Sequence, residues 1–281
     1  MKLISRPINI VCLHGKSGNG VLFKRKIQKL IDYTSDINID WHFPDAPYNF
    51  QSPTHDKNTS DINHFEWWTL PPNTRSFTAL EYQGNDLSIK LVEEFSPDVL
   101  VGHSQGAILS SIILARAIKG VSLVAPKAAI LSGAAWPNPY TNMLEEIKNN
   151  THTSNGHNYA SPSSLSILHT LCKTDPINPY ESGLRLAECF SQYSNNDIRL
   201  HDNGHNFCTD DTFLELYRKL LLGVVVQVCT SIFTFMLVYS INVFDMCVWC
   251  IKQLYCITYT SLSLFVTCLY MYSTHSILYR L

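Results

Sequence analysis

Short apolar runs alternate with amphipathic stretches along most of this chain. Residues 8–13 (Ile-Asn-Ile-Val-Cys-Leu) form an apolar run that ends in a glycine-rich turn at residues 14–20, which predicts a buried strand. Residues 21–32 carry Val21, Leu22, Ile27, Leu30 and Ile31 among lysines, the spacing of an amphipathic helix. A second strand is predicted from Ile39 to Phe43, closed by Pro44 and Pro47. Residues 44–78 are rich in Pro, Asn, Ser, Thr and aromatics and keep no period, so they are expected to form a long, lid-like loop. A helix follows from Leu80 to Phe95. Residues 97–102 (Pro-Asp-Val-Leu-Val-Gly) then form a strand buried on both faces. Ala107 to Ile118 is apolar nearly all round, as in a helix pressed against a sheet. Further strands are expected at 128–132, 165–171 and 197–200, with helices at 181–190 and 212–222. Strands alternating with helices predict an α/β fold whose sheet is mainly parallel.

The strongest chemical signal lies between the buried strand and the apolar helix: Gly102-His103-Ser104-Gln105-Gly106. A nucleophile elbow needs that context, because its serine occupies a strained strand-to-helix turn and flanking glycines allow the close backbone crossing. A serine hydroxyl is a weak nucleophile, so it needs an imidazole base oriented by a third group. On this fold the partners follow in the order acid, then histidine. Asp175, in Lys173-Thr174-Asp175-Pro176, and His205, in Asn203-Gly204-His205, both fall on loops after predicted strands. Open α/β sheets place their sites at that edge. The oxyanion hole is expected from two backbone N–H groups, that of Gln105 and that of Lys16. Gly15-Lys16-Ser17 is not a phosphate loop, since Val11 stands where its first glycine belongs. Trp67 and Trp68 are candidates for an apolar acyl site, with core packing as the alternative.

These residues resemble the small serine-hydrolase family that includes the yeast family-of-serine-hydrolases proteins and the human ovarian-cancer-associated esterase. The resemblance runs from about Ile8 to Leu222. It rests on Leu13-His14-Gly15, Phe43-Pro44-Asp45-Ala46-Pro47, Trp67-Trp68, Val101 to Ala107, Leu131-Ser132-Gly133, Leu168-His169, Thr174-Asp175 and Gly204-His205. It implies an α/β-hydrolase fold, carboxylesterase activity on small-molecule alkyl or acyl esters, no cofactor, and a triad of Ser104, Asp175 and His205. Two positions depart from the family pattern: His103 replaces the usual Phe before the nucleophile, and Cys172-Lys173 replaces the usual Gly-Asp before Thr174. An acyl thioesterase or lipase would use the same triad. A non-catalytic binding protein on this fold, or a membrane-anchored structural protein, are readings of a different class.

Composition bounds the alternatives. The formal net charge is -2, with 21 basic and 23 acidic residues, which leaves no electrostatic footprint for nucleic acid. The nine cysteines are odd in number and irregularly spaced, and no signal peptide is seen, so free thiols and a cytoplasmic catalytic domain are expected. Cys247-x-x-Cys250 has no second pair to complete a metal site, and no metal is expected. The chain divides into a hydrolase domain, 1–222, and an apolar tail, 223–281. Residues 223–244 and 253–279 are uncharged and each is long enough to cross a bilayer, which suits a transmembrane hairpin with both ends cytosolic. From Val224 onward the tail contains no Ala, Gly, Pro or Glu. That bias also fits the translation of a noncoding, T-rich stretch beyond a finished domain.

Overall fold

The computed structural model describes residues 6–50, 63–149, 165–192 and 195–230. Six strands form one sheet: β1 (Ile8–Leu13), β2 (Ile39–His42), β5 (Val99–His103), β6 (Ala128–Ser132), β7 (Ser166–Leu171) and β8 (Asn195–Leu200). Every neighbouring pair is parallel, in the order β2-β1-β5-β6-β7-β8. Parallel pairing demands crossovers that put helices on the faces of a sheet. That cover explains why β5 and β6 are buried at every residue. A strand with one face in water would alternate instead.

Helices α1 (Gly20–Lys26), α2 (Gln28–Tyr33), α3 (Asn85–Glu94), α4 (Gln105–Ile118), α5 (Thr141–Asn149) and α6 (Tyr180–Cys189) are joined by a last helix, α7, over residues 211–230. The most enclosed of them is α4, buried from Gln105 through Ala115. The single helix expected over 21–32 is two, because the backbone turns at Ile27. The helix expected from Leu80 begins only at Asn85, after Gly84 adopts φ 81°. Helix α5 has no counterpart in the sequence expectations.

Segment 44–78 is mainly irregular in its described parts, as a long loop would be. It contains a short antiparallel pair, β3 (Tyr48–Asn49) with β4 (Phe65–Glu66), and Phe65 also bridges to Gly18. Downstream, α7 runs past Leu222, and Val224 and Val228 are buried. Residues Met1–Val228 form one unit. The spans expected at 223–244 and 253–279, and Cys247 with Cys250, lie outside the described residues apart from the first few positions. Among the described residues no helix is long and apolar enough to cross a membrane.

The sheet order fixes where a site can form. From β1 the chain steps outward to β2, then returns to the other side of β1 as β5. The crevice beyond the carboxyl ends of β1 and β5 is thus a topological switch point, where open α/β sheets bind ligands. Leu13 ends β1 and His103 ends β5, so the glycine-rich turn at 14–19 and Ser104 both open into this crevice.

Candidate active site

Ser104 sits between β5 and α4 with φ 54° and ψ -118°, a left-handed conformation that a non-glycine residue adopts only under constraint. The constraint is visible on both sides. Its N–H donates to the carbonyl of Ser132 on β6 at 2.9 Å, and its own carbonyl accepts from Ile108 as α4 begins at 3.0 Å. A Cβ on Gly102 would lie 2.5 Å from the Cα of Ala107, and one on Gly106 would lie 2.1 Å from the carbonyl oxygen of Leu13. Both glycines are therefore steric requirements of the crossing between β1, β5 and α4.

The partners arrive from the far side of the sheet. Asp175 lies in the turn after β7, where Oδ1 accepts the N–H groups of Ile177 (2.8 Å) and Asn178 (3.0 Å). Its other oxygen, Oδ2, is 2.6 Å from Nδ1 of His205. Nε2 of His205 is 2.7 Å from Oγ of Ser104. An ionised carboxylate only accepts, so Nδ1 carries the proton and the Nε2 lone pair faces the serine hydroxyl. Gly133, with φ 59°, lies under the imidazole, where a Cβ would come within 3.3 Å of the ring. Ser104, Asp175 and His205, scattered in the sequence, thus meet in one line of hydrogen bonds.

Three supports have roles that the sequence did not assign. The Asn178 side chain donates to the buried carbonyl of Gly133 at 2.7 Å, joining the Asp175 turn to the floor under His205. Nε2 of His14 accepts the N–H of Ala46 at 3.1 Å, so its Nδ1 carries the proton and donates to the carbonyl of Gly15 at 2.8 Å. Gly18 N–H reaches the same carbonyl at 3.0 Å. Desolvation by burial lowers the pKa of His14, which keeps that tautomer neutral. Third, the departure at His103 is put to use. Its Nε2 donates to the carbonyl of His205 at 3.2 Å while its ring packs between Phe23 and His205. Burial holds His103 well below the ordinary histidine pKa, with the charge of Lys26 acting in the same direction.

Trp67 and Trp68 do not line the cleft at Ser104. Both are fully buried, so the expectation of an acyl-binding role is corrected to a supporting one. The Gln105 side chain, itself buried, accepts the N–H of Trp67 at 2.9 Å and donates to the carbonyl of Trp68 at 3.0 Å. Trp67 Nε1 donates to the carbonyl of His14 at 2.8 Å, and Trp68 stacks on Tyr82 with centroids 4.3 Å apart. The pair braces the turn after β1 against the start of α4. The physical reason is size: two large rings bury well in a core, and the Trp67 indole N–H finds a backbone carbonyl there.

The cleft itself has a volume of about 220 Å³ and is lined by the 14–19 turn, α1, His103, Ser104 and His205. Lys16 lies on its wall with Nζ 3.2 Å from Oε2 of Glu66. Among the described residues no group of three or more His, Cys, Asp or Glu is arranged to hold a metal ion. Cys12, Cys172, Cys189 and Cys208 are free and buried.

A strained serine at a strand-to-helix turn of a parallel sheet, bonded to an imidazole that is bonded to a carboxylate, defines a serine hydrolase of the α/β-hydrolase fold. Comparison with known proteins narrows the class: the family described as serine hydrolase (FSH1) matches residues 4–216, and the chain belongs to it. Among curated relatives, esterase GA18864 of Drosophila pseudoobscura pseudoobscura is 26% identical over 215 residues, covering 73% of this chain and 67% of that protein. Esterase CG5412 of Drosophila melanogaster is 24% identical over 231 residues, covering 78% and 76%. Among solved structures, esterase PE8 superposes with TM-score 0.56 at 18% identity, over 77% of this chain and 94% of that one. Acyl-protein thioesterase 2 of Zea mays gives 0.55 at 18% identity, over 80% and 96%. These structures share the fold.

Proposed function

We propose that this protein is a carboxylic ester hydrolase that works through an acyl-enzyme on Ser104. The observation that carries the reading is the unbroken relay of Ser104 Oγ, His205 and Asp175, with links of 2.7 and 2.6 Å. In the first step His205 Nε2 takes the hydroxyl proton as Oγ attacks the ester carbonyl. The imidazolium, held by Asp175, then returns that proton to the leaving alcohol as the ester C–O bond breaks. Water, deprotonated by the same nitrogen, releases the acid and restores Ser104.

The tetrahedral oxygen would be held by the backbone N–H groups of Gln105 and Lys16. Gln105 N begins α4, where the first N–H groups have no intrahelical acceptor and the helix dipole favours negative charge. The Gly15–Lys16 peptide is trans, and its carbonyl is turned toward His14 and Gly18. A planar trans peptide points its N–H the opposite way, so Lys16 N–H is directed away from His14 and Gly18, which supports this assignment. Gly15 lies against Ser104, a Cβ there falling 3.3 Å from the serine Cβ.

Small-molecule esters are the substrate class, in keeping with the esterase names of the fly relatives. The same relay would cleave a thioester, and a matched pair of oxygen and thioesters separates the two. The direct test is labelling of the full chain by a fluorophosphonate probe, alongside Ser104→Ala and His205→Ala. Labelling lost in both variants is expected. A folded wild-type protein that takes up no probe overturns the reading in favour of a binding protein on a hydrolase fold.

A further inference from the structure

The walls of the Ser104 cleft are uneven in charge. Two ammonium groups line it, Lys16 and Lys26, and no carboxylate does so among the described residues. Lys16 is committed, with Nζ 3.2 Å from the buried carboxylate of Glu66. Asn19 is also used up: its amide donates to the carbonyl of Asn63 at 2.9 Å and its oxygen caps α1 through Leu22 N–H at 2.8 Å. His14 and His103 are held neutral by burial. Lys26, in the last turn of α1, faces the cleft with neither a hydrogen bond nor an ion pair among the described residues.

We propose that Lys26 is a specificity-determining residue that selects anionic esters, its ammonium receiving a carboxylate carried by the substrate at the mouth of the Ser104 cleft. The inference rests on the esterase reading above and names the substrate class for that same site. Lys26 counts as exposed by surface area, yet the surrounding chain still lowers its pKa by desolvation. A cation that is partly desolvated and has no counter-charge is left under-solvated, and an incoming anion relieves that state. The negative charge lies on either the acyl or the alcohol portion of the ester, since Lys26 and Ser104 line the same cleft.

The test is a selectivity ratio, kcat/KM on an anionic ester divided by that on its neutral counterpart, after subtraction of uncatalysed hydrolysis. One arm pairs mono-para-nitrophenyl adipate with para-nitrophenyl hexanoate and places the charge on the acyl side. The other pairs para-carboxyphenyl acetate with its methyl ester and places it on the alcohol side. For the full-length wild-type chain the ratio should exceed one in at least one arm. Lys26→Gln should lower that ratio about two- to fivefold, the size expected of an exposed ion pair, and Lys26→Glu should lower it further. Lys24→Gln, on the same helix but outside the cleft lining, should leave the ratio unchanged. Because both esters are measured on the same variant, partial misfolding cancels. A ratio in both arms that Lys26→Gln does not change overturns the proposal and leaves Lys26 as a helix-end cation. No turnover of any ester together with no fluorophosphonate labelling overturns the esterase reading itself, and this proposal with it.

Discussion

Nε2 of His103 and the backbone carbonyl of His205 lie 3.2 Å apart, joining the end of β5 to the loop that carries the base. A carbonyl only accepts, so His103 is the donor and its proton sits on Nε2. His103→Phe would keep the packing against Phe23 but remove this donor. The expected cost is about 1 kcal/mol of stability and roughly a threefold fall in kcat, typical of one lost neutral hydrogen bond. His103→Gln, whose amide can still donate, should fall between wild type and Phe. Steady-state kinetics on a neutral ester, read beside urea melts, checks this; an unchanged kcat in His103→Phe would show the bond idle.

Asp175→Asn tests the orientation of the base. The new amide oxygen would take over the N–H groups of Ile177 and Asn178, turning its NH₂ toward His205 Nδ1. That nitrogen would then have to accept, which moves the imidazole proton to Nε2 and removes the lone pair facing Ser104. A fall in kcat of roughly 10⁴-fold with the fold intact is expected, as in other triads altered in this way. Retention of a tenth or more of wild-type kcat would remove Asp175 from the relay.

Gly106→Ala should be the most damaging single-methyl change in the elbow. Its Cβ would fall 2.1 Å from the carbonyl oxygen of Leu13, a backbone atom with no side-chain freedom to yield. A loss of more than about 3 kcal/mol is expected from forcing α4 away from β1. Thermal unfolding checks it. A melting temperature within a few degrees of wild type would mean that the crossing is looser than described.

Acid lability should appear before the carboxylates titrate. His14, His103, His169 and His201 all have pKa values lowered by burial, His169 from 6.5 to about 4. Above pH 6.5 both folded and unfolded chains hold these rings neutral, and nothing is lost. Below it the unfolded chain binds protons that the fold refuses, so stability falls with falling pH until the folded groups titrate too. For His169 alone the loss at pH 5 is about 2 kcal/mol, at about 1.4 kcal/mol per pH unit. Urea midpoints at pH 7 and pH 5 measure it. If His169→Phe loses as much as wild type between them, His169 is not a source of the lability.

Much of this architecture is legible in the sequence because the signals are local. The apolar run at 97–102 and the glycines at 102 and 106 mark a buried strand, a sharp turn and a packed helix without reference to anything distant. Ser104, Asp175 and His205 were found by their place after strands, and the structure brings the three together. For Trp67 and Trp68 two readings stayed open, an acyl site and core packing, and the structure places both rings in the core. Whether an aromatic side chain faces a cleft or a core depends on what stands across from it, here Gln105 and His14 from other parts of the chain. The roles of Asn178 and His14 were not legible on the same ground, since each acts through a backbone carbonyl, although His14 itself stands in the Leu13-His14-Gly15 motif. Helix α5 and the break at Ile27 lacked strong start or stop signals. The continuation of α7 past Leu222 reflects an apolar face that was assigned to the tail.

The relay is assembled from three strand ends, and its base follows β8, which among the described residues is one of the two edge strands of the sheet. Outer strands open more readily than central ones, since they have a partner on one side only. Each time β8 lifts away, His205 parts from Ser104 and the nucleophile falls silent. The rate of covalent labelling therefore scales with the fraction of molecules in which that edge is closed, and its fall in mild denaturant measures the stability of the β8 edge.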